Sequence, residues 1–308
     1  MHPDTGSQSQ FSDLRAGLAH RNGVKMQPDP FRNKVAIITG ASAGIGKSMS
    51  LQLVGQGAKV VLAARRGERL EQVAVECRSL GGEALVVPTD ASDEAQCKAL
   101  VETTIQKFGC LDILINNAGL AASALFDEFP DLRLFRQTMD VNFYSAVYCT
   151  YYALPHLKKT RGRVVAISSL GGKSAIPYNT PYCASKYAMH GFYDSLRIEL
   201  YQHDVSCTVV CPYWVVTEFH EAQMNKDGVP RGSLGRAIYT KKMMTAEQCA
   251  RSTLCAAHKR RREVLMGPGM LAVWLKLLAP SFLDWLSVKI FIKPLIRRTQ
   301  AGKIERKP

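Results

Sequence analysis

From Lys34 onward the chain alternates short apolar runs with segments of helical length, and this alternation limits the fold more than any other feature. The runs are "VAIIT" at 35–39, "KVVLAA" at 59–64, "ALVVP" at 84–88, "ILIN" at 113–116, "RVVAIS" at 163–168, "SCTVVC" at 206–211 and "EVLMG" at 263–267. Rich in Val and Ile, they read as strands. Between them, 44–56, 68–80, 93–108, 131–154 and 180–203 read as helices. A strand that is apolar throughout needs cover on both faces, and each parallel crossover lays a helix over the sheet. The expected fold is therefore a doubly wound α/β domain with a seven-stranded parallel sheet over residues 31–267. No linker, internal repeat or low-complexity tract interrupts it. Two appendages remain: a polar N-terminal arm over 1–30 and an apolar, basic extension over 268–308.

A content of 46% hydrophobic residues in 308 can fill such a core. The nine Cys are scattered from Cys77 to Cys255 without a CxxC pair, and the seven His are dispersed. Reduced, packed thiols in a cytoplasmic compartment and no metal site are expected. The formal charge of +14 is uneven: from Ala257 to Pro308, 12 Lys and Arg stand against three Asp and Glu, which places +9 in the last 52 residues. With no zinc-finger or RNP-like pattern beside it, this charge does not imply a nucleic-acid partner. The first thirty residues lack the apolar core of a signal peptide, and "FSDLRAGLAH" reads as a short helix or a mobile arm.

The first strand runs into "TGASAGIGKS", with Gly40, Gly44 and Gly46 spaced as GxxxGxG. Glycines there allow a sharp turn and close approach of a ligand, and free N–H groups at a helix start favour a pyrophosphate. The second strand ends with Ala64, Arg65 and Arg66, where an NAD-selective site would carry a carboxylate for the ribose. A 2′-phosphate fits this better, although two solvated arginines are the alternative; Lys47 is a weaker source of supporting charge. In "PYCASKYAMHGF" Tyr182 and Lys186 share a helix face at i, i+4 spacing, as a catalytic pair or a surface pair would.

Taken together, "TGASAGIG" at 39–46, Asp90, "NNAG" at 116–119, Asn142 in "MDVNFYS", Ser168–Ser169 and "YCASK" at 182–186 resemble the classical short-chain dehydrogenases/reductases over about residues 31–266. The resemblance implies a single Rossmann-type domain. It also implies a catalytic set of Asn142, Ser169, Tyr182 and Lys186. Cofactor contacts are implied at Gly40, Ser42, Gly44, Ile45, Gly46, Arg65, Asp90, Asn117, Ala118, Gly119, Tyr182, Lys186, Pro212 and Thr217, with NADP(H) preferred over NAD(H). Tyr182 would be the acid and base, Lys186 and the oxidised nicotinamide would together draw the phenol toward phenolate, Lys186 would also hold the nicotinamide ribose, Ser169 would bind the substrate oxygen, and Asn142 would kink its helix and hold a water relay near Lys186. Asp90 would accept from the adenine amino group, or merely cap the helix near Asp93. The family's PGxxxT reads here as "PYWVVT" at 212–217, so Tyr213 stands in place of a small Gly near the nicotinamide.

The segment from Glu218 to Thr245 has the polar, Gly-bearing character of a lid, with Tyr178, Tyr213, Trp214 and Phe219 near it in sequence. The expected activity is NADP(H)-dependent interconversion of a hydrophobic secondary alcohol and its ketone, of steroid, retinoid or lipid origin. The alternative is a non-catalytic nucleotide-binding scaffold or redox sensor tethered to a membrane. The resemblance also implies a homodimer or homotetramer paired through the helices at 131–154 and 180–203. In "GMLAVWLKLLAPSFLDWLSVKIFIKPLIRR", Gly269–Arg298, charges and Pro280 and Pro294 keep every apolar run short of a bilayer span. Short amphipathic helices that either lie in a membrane surface or pack on protein are expected, followed by a basic tail to Lys307.

Overall fold

The computed structural model describes residues 30–233, 243–267 and 269–294. The expected N-terminal arm, the basic tail and the middle of the 218–245 segment lie outside the described residues. In chain order, the elements are β1 (Val35–Thr39), α1 (Gly44–Gly55), β2 (Lys59–Ala64), α2 (Gly67–Ser79), β3 (Ala84–Pro88), α3 (Glu94–Phe108) and β4 (Ile113–Asn116). There follow α4 (Arg133–Met139), α5 (Ser145–Thr160), β5 (Arg163–Ile167), α6 (Thr180–Glu199) and β6 (Ser206–Cys211). Next come β7 (Val215–Val216), α7 (Phe219–Ala222), β8 (Met244–Thr245), α8 (Ala246–His258), β9 (Glu263–Leu265), α9 (Met270–Leu278) and α10 (Pro280–Ser287).

Seven strands form one parallel sheet in the order β3-β2-β1-β4-β5-β6-β9, and β7 pairs with β8 separately. Alternate residues of each strand enter opposite cores, as strand geometry requires. Ala36, Ile38, Val60 and Leu62 pack with Met49, Leu53, Leu70 and Leu254 from α1, α2 and α8. Val35, Ile37, Val61 and Ala63 pack with Leu100, Cys149, Met189 and Tyr193 from α3, α5 and α6. The sheet is thus doubly wound. Chain order reverses beside β1, whose neighbours are β2 and β4, and a crevice opens there at the carboxyl ends of the strands.

The expected helix over 131–154 differs in two ways. It runs on through Pro155 to Thr160, because buried Leu157 anchors its last turn and one missing N–H does not end it. It also breaks into a π-helical turn over Asp140–Tyr144, between α4 and α5. The lone Asn142 amide holds that turn: its Nδ2 donates to Leu120 O at 2.9 Å and its Oδ1 accepts from Leu120 N at 2.7 Å.

After β9, α9 and α10 carry large apolar side chains into solvent, among them Leu271, Trp274, Leu278, Phe282 and Trp285. They are tied to the domain at few points. Lys276 Nζ donates to Lys173 O at 3.1 Å and to the Tyr187 hydroxyl, and the Tyr178 hydroxyl donates to Phe291 O at 3.3 Å. Among the described residues no helix is long and apolar enough to cross a membrane.

Candidate active site

The glycine turn after β1 is shaped by backbone demands. Gly40 and Gly44 have φ of +65° and +54°, in the left-handed region that favours glycine. At Gly46 a Cβ would lie 2.3 Å from Gly40 O, so the third glycine is required by packing. Residue Ala43 gives α1 no side-chain cap, and no acidic residue occupies its first turn. The helix start therefore keeps N–H groups for an anion beside the turn that holds Ser42 and Ile45. This cradle fits the pyrophosphate of a dinucleotide.

The loop after β4 closes the opposite wall. Buried Thr39 Oγ1 accepts from the N–H groups of Asn117 and Ala118 at 2.9 and 3.0 Å, and Asn117 Nδ2 donates to Thr39 O and Gly40 O at 2.9 and 3.2 Å. Asn117, Ala118 and Gly119 are thus fixed against the glycine turn. Thr39 was not singled out in the sequence, although a Thr directly before the turn glycine was its only signal.

At the ends of β2 and β3, Arg65 and Arg66 are exposed and make no ion pair with a described residue. Lys47 is different. Its ammonium pairs with Glu76 on α2 at 2.7 Å. Asp90 does not cap α3, since Asp93 does so by accepting from Gln96 N at 3.1 Å. The Asp90 Oδ1 instead accepts from Ser92 N and Oγ at 3.0 and 2.7 Å, which fixes its carboxylate at the end of β3.

Tyr182 and Lys186 both face the carboxyl end of β5, as their spacing on α6 predicts. Lys186 is 3% exposed; its Nζ donates to Ile167 O at 2.8 Å and lies 5.7 Å from the centre of the Tyr182 ring. Ser169 stands beside the phenol: a Cβ at Gly171 would lie 3.4 Å from Tyr182 Cε1 and 3.5 Å from Ser169 Oγ, and that Oγ accepts from Gly171 N at 3.0 Å. Asn142 does not reach Lys186. Its Nδ2 donates to Ser185 Oγ at 2.8 Å, and Ser185 Oγ donates to Tyr182 O at 2.7 Å, so the π-turn is coupled to the backbone of the Tyr182 turn.

Burial dominates both titrations. It pushes the Tyr182 phenol up to about 12, against a smaller downward pull from Ser169, and it pushes the Lys186 ammonium down to about 8.

The Tyr213 ring packs on the stretch after β9. A Cβ at Gly267 would lie 2.8 Å from Tyr213 Cβ, and one at Gly269 would lie 2.9 Å from its Cδ2, so the side chain lies on the segment leading to α9. Pro212 O accepts from Leu170 N at 3.1 Å, joining this loop to the Ser169 turn. The Thr217 side chain would sit 3.1 Å from a Cβ at Gly44, beside the glycine turn. Phe219 follows and packs 6.0 Å from the Tyr182 ring.

Folding also gathers His190, Cys211 and Glu263, which the dispersed sequence positions did not connect. His190 Nε2 lies 3.2 Å from Ser168 Oγ and 3.6 Å from Cys211 Sγ, and its Nδ1 lies 3.5 Å from Glu263 Oε1. The Lys173 ammonium pairs with the same Glu263 oxygen at 2.7 Å and supplies the counter-charge. Burial and Lys173 push the His190 pKa down to about 4.

The sequence pattern described as short chain dehydrogenase matches residues 34–228, well over half of the chain. The chain belongs to the short-chain dehydrogenase family. Within this family it is 36% identical to 11-beta-hydroxysteroid dehydrogenase A of Sesamum indicum over 258 residues, covering 82% of this chain and 74% of that protein. It is also 36% identical to 11-beta-hydroxysteroid dehydrogenase of Pinus massoniana over 281 residues, covering 89% and 78%. The short-chain dehydrogenase fold superposes on a Burkholderia phymatum short chain dehydrogenase/reductase in complex with NAD, with TM-score 0.74, 27% identity and coverage of 82% of this chain and 96% of that one. It likewise superposes on an alcohol dehydrogenase from Thermococcus sibiricus complexed with 5-hydroxy-NADP, with TM-score 0.66, 26% identity and coverage of 76% and 96%.

Proposed function

We propose that this short-chain dehydrogenase is an NADP(H)-dependent oxidoreductase that interconverts a hydrophobic secondary alcohol and its ketone, with residues 31–267 as the catalytic unit. The observation that carries the reading is the meeting of Tyr182, Ser169 and buried Lys186 at the sheet edge that also bears the uncapped glycine turn. When bound, a reduced nicotinamide supplies hydride to the carbonyl carbon. Tyr182 holds the proton at Oη and gives it to the carbonyl oxygen, and Ser169 Oγ steadies that oxygen as charge develops on it. Lys186, with Nζ 5.7 Å from the centre of the Tyr182 ring, would hold the nicotinamide ribose and supply a cation near the phenol. Asn142 holds the π-turn and the Tyr182 turn in register, with the water relay implied by the family resemblance as its second role.

The preference for NADP(H) rests on Arg65 and Arg66, exposed and without an ion pair to a described residue where a ribose-binding carboxylate would stand. The apolar substrate rests on the aromatic neighbours of Tyr182 and on the names of the plant relatives. The exposed apolar faces of α9 and α10 support peripheral contact with a membrane, and exposed Tyr151 and Ile198 on α5 and α6 support pairing of two or four copies there. The test is consumption of NADPH and NADH with a panel of apolar ketones. Turnover with NADPH and a far slower rate with NADH is expected. Tight NADPH binding without turnover of any ketone would favour a nucleotide-binding scaffold instead.

A further inference from the structure

We propose that His190 is a positioning residue for the reaction: acting through Ser168 and Glu263, it clamps both ends of the turn that carries Ser169 and so fixes that hydroxyl against the Tyr182 phenol. The inference rests on the oxidoreductase reading above. Tyr182, Lys186 and His190 follow one another at i, i+4 and i+8 on α6, so one helix face presents the acid, its cation and then, a turn further on, an imidazole. At 7% exposure that ring belongs to the interior.

The clamped segment is a single 3₁₀ turn over Leu170–Gly172, with Ser169 before it and Lys173 after it. At the leading end, Ser168 Oγ lies 3.2 Å from His190 Nε2 and 3.5 Å from Lys186 O. At the trailing end, the Lys173 ammonium pairs with Glu263 Oε1 at 2.7 Å, and the same oxygen lies 3.5 Å from His190 Nδ1. Between its ends the turn presses on α6: a Cβ at Gly172 would lie 2.8 Å from Ser168 Oγ, 2.9 Å from His190 Cδ2 and 2.9 Å from Lys186 O. A shift of the turn against His190 is therefore a shift of Ser169 against Tyr182.

The ring is suited to bracing rather than to carrying a proton or a metal ion. Burial first, and then Lys173, push its pKa down to about 4, so it is neutral near neutral pH. A neutral imidazole has one donor and one acceptor nitrogen. Facing a carboxylate, Nδ1 keeps the proton, which leaves Nε2 to accept from the Ser168 hydroxyl. The two nitrogens also face different members of the cluster, Nδ1 toward Glu263 and Nε2 toward Cys211 Sγ at 3.6 Å. Burial and the charge of Glu263 keep that thiol protonated, and Lys173 already neutralises the carboxylate. A divalent ion would have to displace both the thiol proton and the ammonium. What remains is a polar brace that joins α6, β6 and β9 to the Ser169 turn.

The test measures kcat, KM and NADPH affinity of the full chain with an apolar ketone that the parent reduces. Misplacement by about 1 Å can cost on the order of 10²-fold in rate, so Ser168→Ala and His190→Leu should each lower kcat by roughly tenfold or more. None of the contacts above involves the glycine turn, so NADPH titration by fluorescence should stay within about threefold of the parent. The double variant should lose no more than the worse single one, because both remove the same contact. His190→Gln, whose amide reaches the Nε2 position, should recover kcat to within about threefold, whereas His190→Asn, whose amide reaches only the Nδ1 position, should not. A general loss of packing lowers Tm but gives neither this cycle nor this difference between Gln and Asn. Turnover of Ser168→Ala within about threefold of the parent overturns the assignment, as do additive losses in the double variant or equal rates for Gln and Asn. If His190→Leu does not fold, Ser168→Ala and the Gln and Asn pair decide. A parent that reduces no ketone overturns the oxidoreductase reading and this one with it, while an active parent with indifferent variants overturns this one alone.

Discussion

Removing one oxygen atom from Tyr182 separates cofactor binding from chemistry. The Tyr182→Phe variant should bind NADPH within a few fold of the parent, because the glycine turn and Arg65 are untouched. Its turnover should fall by roughly 10²- to 10⁴-fold, the usual share of a positioned acid; stopped-flow NADPH oxidation measures it, and a rate within tenfold of the parent would remove Tyr182 from its role. At the end of β2 the double variant Ala64→Asp with Arg65→Ile should move the preference from NADPH toward NADH. On the proposed reading it would place a carboxylate beside the ribose hydroxyls and delete a charge-assisted partner of the phosphate. The ratio of kcat/KM for the two cofactors reports it, and a parent that already prefers NADH contradicts the reading of Arg65. His190 carries a pH dependence whose sign follows from its burial. Its folded pKa of about 4 lies below the ordinary 6.5, so the unfolded chain takes up a proton that the folded one refuses. Stability is then fully present above pH 6.5 and declines as pH falls toward 4, by no more than about 3 kcal/mol. Urea melts across that range check it, with His190→Gln expected to flatten the slope.

Among the elements, the glycine turn leaves least freedom. A methyl group at Gly46 would press on the Gly40 carbonyl at 2.3 Å, and backbone cannot yield as a side chain can. Overpacking of this kind costs about 1–3 kcal/mol, or roughly 2–12 °C in Tm for a domain of this size. Gly46→Ala should show that loss by differential scanning fluorimetry together with weakened NADPH binding. Every strand of the main sheet lies within an apolar run recognisable in the sequence, because parallel strands covered on both faces must be apolar throughout. A kink at Asn142 is implied by the family resemblance, but its form, a π-turn over Asp140–Tyr144, was not legible. It arises from two hydrogen bonds between Asn142 and Leu120, and a single widened turn hardly disturbs helical periodicity. The His190, Cys211 and Glu263 cluster was hidden for a similar reason, since its members come from α6, β6 and β9 and meet only when those elements stack. The direction of the Tyr213 ring was hidden for a different one. Its position in the loop was known, but the direction of its ring depends on Gly267 and Gly269, which leave room for it.

For the whole molecule, the C-terminal helices pose a choice between lipid and protein. Leu278 is 82% exposed and Leu271 73%, while Lys289 lies over the Trp285 ring at 4.9 Å, as a cation at the edge of an interfacial helix would. Deleting residues 269–308 should abolish co-sedimentation with anionic vesicles at low salt and leave a soluble protein that binds NADPH. Loss of NADPH binding with the truncation, or a full chain that ignores vesicles, would place a protein surface over these helices. The sheet order bears on how the chain reaches this state at all. Val35 pairs with Lys59, close along the chain, but Ala36 must also find Ile113. During synthesis β1, β2 and β3 can assemble early, while the remaining edge of β1 waits, unpaired and apolar, for β4 to emerge. The crevice is thus among the late features to close in refolding. NADPH added to a refolding mixture should raise the final yield by trapping finished molecules, without accelerating the phase in which the sheet forms; a faster first phase would mean that the crevice exists before β4 docks.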